Sequence, residues 1–404
     1  MFLSDRKMLI QIILFLLLGI LFGVFTGLTP GIHINLVSAI LVSLSASYLT
    51  QISAIYLVVF ISSMAIAHTF LDFIPSIFLG CPDTDTELSI LPGHELLKEG
   101  RGYEAIMLTN YGSIAAVFML LAISFPSVLL ISKFYKIIEH FIPVILVFTS
   151  LILIMSEKNK FPAFLVFALS GFLGLIVLNL SDSSDKFLLP LLTGLFGSSM
   201  LLISIKNKTQ IPIQKITKSK IKILKPLIGS FIASPICSFL PGLGSGQAAV
   251  IGNLISKTDK RGFLVLLGAT NTLVMGFSFI SLYTISKTRT GAAAAIQDLT
   301  GSLSPELLIL ILFSVLFSGL IAFFLTAVLA KFFSQKMEKI NYQKISIATI
   351  TVLGVIVFLV SGFLGIVILI ISTLTGIYCM SFNVRKTNMM GCLLLPTILF
   401  YLLK

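Results

Sequence analysis

Apolar runs of roughly membrane-spanning length recur along the whole chain, at residues 8–25, 51–71, 113–132, 141–156, 162–180, 187–205, 262–285, 303–330, 346–371 and 388–403. A helix rising about 1.5 Å per residue needs about 20 apolar residues to cross a hydrocarbon core of about 30 Å. A chain built this way folds in lipid, because no single core in water could hide so many apolar helices. Composition agrees: 57% of the 404 residues are hydrophobic and 11% charged, where a soluble domain carries about 25% charged residues. A soluble enzyme, a nucleic-acid-binding module and a secreted disulfide scaffold are thereby excluded. Met1 to Lys7 and the run to Phe25 have the outline of a signal peptide. No small-residue cleavage site follows, so the run reads as a retained first membrane helix.

Four further stretches, 28–47, 75–95, 235–256 and 286–298, are apolar but interrupted by Pro and Gly. Non-helical backbone at membrane depth survives only when it is buried in protein or lines a wet cavity. The expectation is therefore an all-α polytopic membrane protein with broken or re-entrant helices, about 10–12 membrane segments in all. The net charge of +12 sits in short clusters between the runs. The densest is 206–225, with Lys206, Lys208, Lys215, Lys218, Lys220, Lys222 and Lys225 and no acidic residue. By the positive-inside rule this is a solvated cytoplasmic linker in a cell-membrane protein, between one membrane repeat at 1–205 and another at 226–404. Cys81, Cys237, Cys379 and Cys392 lack any C-x-x-C spacing and read as isolated reduced thiols.

The two halves resemble each other. Leu28-Thr29-Pro30-Gly31-Ile32-His33-Ile34-Asn35 matches Leu240-Pro241-Gly242-Leu243-Gly244-Ser245-Gly246-Gln247 around a shared Pro-Gly. Thr84-Asp85-Thr86 aligns with Thr288-Arg289-Thr290, and Ser170-Gly171-Phe172-Leu173-Gly174 recurs as Ser361-Gly362-Phe363-Leu364-Gly365. Three matches in one order point to an ancient duplication, with inverted halves expected; the bland alternative is small-residue helix packing. Duplicated halves with breaks at matching positions are the pattern of a secondary transporter. A helix that starts at mid-membrane directs free N–H groups and a positive dipole end at the cavity, which suits an anion.

The breaks carry the polar residues. Thr29, Pro30, Gly31, His33 and Asn35 in the first half, and Pro241, Gly242, Gly244, Ser245 and Gln247 in the second, are candidate substrate-binding positions. Plain helix capping is the alternative reading for the hydroxyls and amides. The second pair of breaks is charged: Asp83 and Asp85 on one side, Lys287, Thr288, Arg289 and Thr290 on the other. Arg289 can take a carboxylate or phosphate bidentately, and either Asp can balance it or hold a coupling ion; both tips can also be ordinary solvated loops. His68 and Asp72 lie one helical turn apart within a span, with Asn271 in a similar place in the second half. An acid inside a span suggests a proton relay or Na⁺ coordination, with an interhelical structural hydrogen bond as the rival. No nucleophile elbow, P-loop or H-E-x-x-H occurs, so an enzyme is not expected, nor a bound metal or cofactor beyond a coupling Na⁺ or H⁺.

At its breaks the chain resembles the TctA family, the large membrane subunit of tripartite tricarboxylate transporters. The resemblance rests on Gly27-Leu28-Thr29-Pro30-Gly31, on Gly100-Arg101-Gly102-Tyr103-Glu104-Ala105, on Leu192-Thr193-Gly194-Leu195-Phe196-Gly197, on Leu240-Pro241-Gly242-Leu243-Gly244 and on Met390-Gly391-Cys392-Leu393-Leu394-Leu395-Pro396. Departures at Gly80-Cys81-Pro82-Asp83 and Ile285-Ser286-Lys287-Thr288 point to a divergent branch, with archaeal relatives. The resemblance implies a two-repeat permease for organic anions such as di- or tricarboxylates, working with a small membrane subunit and an extracytoplasmic binding protein. A second reading is a flippase for an anionic lipid carrier such as a polyprenyl phosphate. A third, an intramembrane enzyme on the His68/Asp72 face, lacks a second catalytic pair. In every reading the partners are the bilayer and a small organic anion or anionic lipid, with no nucleic acid.

Overall fold

The computed structural model describes the chain apart from residues 1, 30–33, 35–36, 39, 43–51, 80–85, 181–184, 207–211, 217–221, 240–243, 289, 337–341 and 404; at a few helical positions, Gln247 and His140 among them, the side chain is not described. Every regular element among the described residues is helical: α1 (Phe2–Leu28), α2 (Ala54–Leu71), α3 (Phe73–Leu79), α4 (Ile90–Lys98), α5 (Gly102–Met155), α6 (Lys160–Leu178), α7 (Asp185–Leu192), α8 (Ser199–Lys206), α9 (Leu224–Phe239), α10 (Ser245–Ser256), α11 (Lys260–Ile285), α12 (Gly291–Thr300), α13 (Pro305–Lys336), α14 (Tyr342–Ser381) and α15 (Gly391–Leu402). Among the described residues, seven candidate spans are long and apolar enough to cross a membrane, and four shorter apolar helices accompany them. The protein is therefore an all-α polytopic membrane protein.

Two spans form the core. The span Ala54–Leu79, made of α2 and α3, has 83% of its most apolar window buried, and α11 has 94%, against 17–39% in the other five. They are also the least apolar of the seven. The cause is environmental: a lipid-facing helix must be apolar all round, whereas one wrapped by other helices can hold hydroxyls and amides that bond within the protein. The outer helices show the converse, with Ile13, Leu17, Leu21 and Phe25 of α1 exposed to the surroundings.

Small residues set how the helices meet. Gly19 of α1 lies against Phe60 and Ser63, Gly23 against Met64 and Ala67, and Gly27 against His68, Leu71 and Asp72, so α1 and α2 run in the same direction. A Cβ on Gly27 would come within 2.8 Å of the Leu71 Cβ; bare backbone at every fourth position is what permits this approach. The same device joins α5 to α11. Gly112 meets the Val265 carbonyl, Gly268 the Thr109 carbonyl and Gly276 the Leu120 side chain, again a parallel pair. By contrast α13 is antiparallel to α5, since Asn110 Nδ2 donates to the Phe323 carbonyl (3.0 Å) while Val117 packs on Gly319. The packing partners recur in order: α1 on α2 and α9 on α11, then α5 on α11 and α13 on α2.

Three expected runs take a different form. Residues 113–132 and 141–156 join in the 54-residue α5, which carries Pro126 and Pro143 inside it. The expected single span 346–371 is part of α14, which breaks at Gly362 (φ 65, ψ −159), a conformation available only to glycine. The chain folds back there: Val357 lies against Gly365. The first arm places Gln343 on the Ile205 carbonyl and Leu353 beside Leu201, while the second sets Thr373 by Gly194 and Gly376 by Ser199. The two arms thus run in opposite directions along the same neighbour, α7 to α8. Ser170–Gly174 by contrast sits in the regular helix α6, so the two Ser-Gly-Phe-Leu-Gly copies differ in conformation. The broken stretch 235–256 falls in α9 and α10, 16 and 12 residues long, whose backbones touch at Gly229 and Gly252. At about 24 and 18 Å they are too short to cross a core of about 30 Å.

The linker is not wholly solvated. Gln214 Oε1 accepts from Gly102 N (2.8 Å), its Nε2 donates to the Leu97 carbonyl (3.0 Å), and Lys215 N donates to the Gly100 carbonyl (2.7 Å). The reason is local: the first N–H groups of α5 and last carbonyls of α4 lack helical partners, and residues 212–216 supply them. Gly100, at φ +76 and with the Ile213 carbonyl 2.7 Å from where a Cβ would stand, is shaped for that contact.

Candidate functional site

The two core spans meet through side chains that apolar helices rarely carry. Thr69 Oγ1 of α2 donates to the Ile66 carbonyl (2.8 Å), leaving its lone pair to receive the Thr272 hydroxyl of α11 (3.1 Å). One residue away, Asn271 Nδ2 donates to Asp72 Oδ2 (2.8 Å) and lies 3.5 Å from the Thr69 carbonyl. Two acceptors at one end of the amide dictate that its NH₂ points there. Asp72 closes the α2 segment, where Pro75 cannot give an N–H to the turn above and the helix is interrupted.

His68 stands on the other side of the carboxylate. Its Nε2 is 3.9 Å from Asp72 Oδ2, and its Nδ1 is 3.0 Å from Thr26 Oγ1 of α1. Thr26 donates to the Gly23 carbonyl (3.2 Å), so it accepts the Nδ1 proton and turns Nε2 towards the acid. All of Thr26, His68, Thr69, Asp72, Asn271 and Thr272 are buried. The sequence expectation for His68, Asp72 and Asn271 thus converges on one cluster, held between three helices.

Each core span also anchors a charged break. Ser76 donates to the Asp72 carbonyl (2.6 Å) and receives the hydroxyl of Thr86, which follows Asp83 and Asp85 in the sequence. In the second half Ser278 donates to the Met275 carbonyl (2.6 Å) and receives the hydroxyl of Thr290, which follows Arg289 and caps α12 through Ala293 N (2.9 and 3.2 Å for the two Thr290 contacts). Lys287 is exposed and Thr288 half-buried beside that clasp. Thr29 closes α1 two residues beyond Gly27, and Gly244 and Ser245 open α10. Pro30, Gly31, His33, Asn35, Asp83, Asp85, Pro241, Gly242 and Arg289 lie outside the described residues, as does the side chain of Gln247.

A second polar contact joins the halves where α5 and α11 begin. The buried Glu104 accepts from Arg101 Nε through Oε2 (2.6 Å) and from Arg261 Nε through Oε1 (2.8 Å), and Lys260 pairs with Glu95. The Arg101–Glu104 spacing of one helical turn is visible in the sequence, but the partner Arg261 is not. Nor does the sequence point to Thr26, Thr69, Ser76 or Ser278; their signal is a hydroxyl within the two least apolar spans, beside the four-residue glycine spacing of α1. Near this contact, outside the spans, His94 is pushed down to about 4 by burial and, less strongly, by Lys386 and Lys98. Among the described residues, Cys237, Cys379 and Cys392 are buried thiols outside any disulfide, in keeping with the sequence reading.

Buried ionisable and hydroxylic side chains at the crossing of two enclosed helices, inside a shell of lipid-facing ones, define a polytopic membrane protein with a polar heart, the architecture of a transporter. The comparisons with known proteins agree. The tripartite tricarboxylate transporter TctA family matches residues 13–391, and the chain belongs to that family of membrane transporters. An uncharacterized protein of Methanocaldococcus jannaschii is 33% identical over 355 residues, covering 85% of this chain and 88% of the relative, in keeping with the archaeal branch. No solved structure matches the chain.

Proposed function

We propose that the protein is a secondary transporter that carries a small organic anion, a di- or tricarboxylate, by alternating access of two inverted halves. The observation that carries this reading is the crossing of the core spans. Each core span is buried, and each carries a serine bonded to the threonine that follows a charged stretch of sequence, acidic at 83–85 and basic at 287–289. The antiparallel pair α5 and α13, each packed on the other half's core span, supports inversion. Substrate sits between the Pro-Gly breaks and the charged tips, where half-helix N-termini and Arg289 meet carboxylates. The linker 206–225 is cytoplasmic in this reading, in a protein of the cell membrane. A small membrane subunit and an extracytoplasmic binding protein complete the system, in line with the tripartite name of the family.

Purified protein is screened for thermal stabilisation by di- and tricarboxylates and by short polyprenyl phosphates, because a ligand of the native state raises the melting temperature by mass action. A carboxylate shift that disappears in Arg289→Ala, with the unliganded melting temperature kept, is the expected result. A shift with the lipid phosphate alone, or a carboxylate shift that survives Arg289→Ala, overturns the reading or removes Arg289 from it.

A further inference from the structure

We infer that the buried crossing of α2 and α11 is a proton-binding site rather than a sodium site, with Asp72 as the group that takes the proton and His68 as the group that exchanges it. Its part in driving transport rests on the function proposed above; the protonation itself does not.

The donor set decides the ion. A hard cation such as Na⁺ is held by a shell of oxygens. Among the described residues, the groups turned towards Asp72 Oδ2 are nitrogen-borne: the NH₂ of Asn271 at 2.8 Å and Nε2 of His68 at 3.9 Å. The Asn271 amide cannot turn its oxygen inward without setting it against both Asp72 and the Thr69 carbonyl. The hydroxyl of Thr69 gives its proton to Ile66 and its lone pair to Thr272, while Thr26 serves Gly23 and His68. Each of these two hydroxyl oxygens therefore already accepts one hydrogen bond within the cluster, Thr69 from Thr272 and Thr26 from His68.

The same geometry suits a proton. With Nδ1 committed to Thr26, Nε2 faces the carboxylate across a gap only about 1 Å longer than a hydrogen bond. A proton on Nε2 passes to Oδ2 on closing that gap, leaving neutral imidazole and neutral acid; atoms and charge balance without any co-reactant. Among the described side chains, few others on the helices around this crossing are ionisable: α2 itself adds Tyr56, and α5 carries Tyr103, Tyr111, Lys133 and Tyr135 besides Glu104. After Lys7, α1 has no ionisable residue, α3 has none, α11 has none between Arg261 and Tyr283, and α13 has none between Glu306 and Lys331. Glu104 of α5 is engaged by two arginines, Asp298 of α12 is exposed, and His33, Asp83 and Asp85 lie outside the described residues.

Infrared difference spectroscopy of the full chain in liposomes tests this without any substrate. The expected result is a carbonyl-stretch band of a protonated carboxylic acid that titrates with pH, moves on isotopic labelling of aspartate carboxyls, and is lost in Asp72→Asn. Its titration midpoint shifts in His68→Gln and is unchanged when sodium chloride replaces choline chloride. A band that sodium abolishes overturns the inference in favour of a cation site. Absence of a titrating aspartate band in wild type, or its survival in Asp72→Asn, overturns it outright. If Asp72→Asn does not fold, Asp72→Glu replaces it, and the band must then lose its sensitivity to the aspartate label. A failed carboxylate screen with the band intact would sink the proposed function and leave the proton site standing.

Discussion

At the scale of single residues, the same side-chain types do opposite things depending on what surrounds them. His68 is one turn from an acid and hydrogen-bonded to Thr26, whereas His94 is buried, with two lysines adding to the opposition to its protonation. His94 makes stability depend on pH. Its folded value, about 4, lies below the ordinary histidine value of 6.5, so between these limits the unfolded chain binds a proton that the native one refuses. Stability is unaffected by this group above about pH 7 and falls as pH drops through 6.5 towards 4, by up to about 3 kcal/mol. Thermal unfolding in detergent across that range should show His94→Gln losing less stability than wild type; identical slopes would mean that another group titrates. The spacing of His68 and Asp72 is legible in the sequence because it needs only helical geometry. The role of Thr26 is not, since it depends on which helix lies alongside.

At the scale of elements, what matters is how chain ends find partners. The lysine-rich linker looks like solvated loop from composition alone, and its lysines do dominate it. Yet Gln214 supplies both an acceptor and a donor to the junction of α4 and α5, which is a property of helix termini and not of charge. Replacing it by Ala leaves a buried N–H and carbonyl with less to bond, a loss of about 1–2 kcal/mol. Limited trypsin digestion reads this directly: cleavage after Lys215 should be several times faster in Gln214→Ala. Equal rates would show that the strap is held by its backbone bonds alone. The reversal at Gly362 belongs here too. Nothing in an apolar run says that it turns back, and the positive φ of one glycine decides it.

At the scale of the whole molecule, the two halves are tied where their parallel helices begin. Glu104 is buried between Arg101 and Arg261, each about a third exposed. Losing a fully buried partner costs about 3–5 kcal/mol, and the partial exposure of both arginines lowers that here to about 2 kcal/mol. Glu104→Gln should therefore lower the melting temperature by several degrees. A double-mutant cycle with Arg261→Gln should show strong coupling, because the two sites share one bond network. Additive losses would mean that the contact across the halves contributes nothing.

The sequence by itself determined the solvent, the all-helical class and the family. Those follow from hydropathy, from Pro and Gly, and from local spacing, all of which act within a few residues. Only the tertiary structure decided which two spans are enclosed, that His68, Asp72 and Asn271 share one cluster, and that Arg261 answers Glu104. In lipid every outer helix is equally apolar, so hydrophobicity cannot choose neighbours. That choice falls to glycine backbones and buried polar groups, whose partners lie far along the chain.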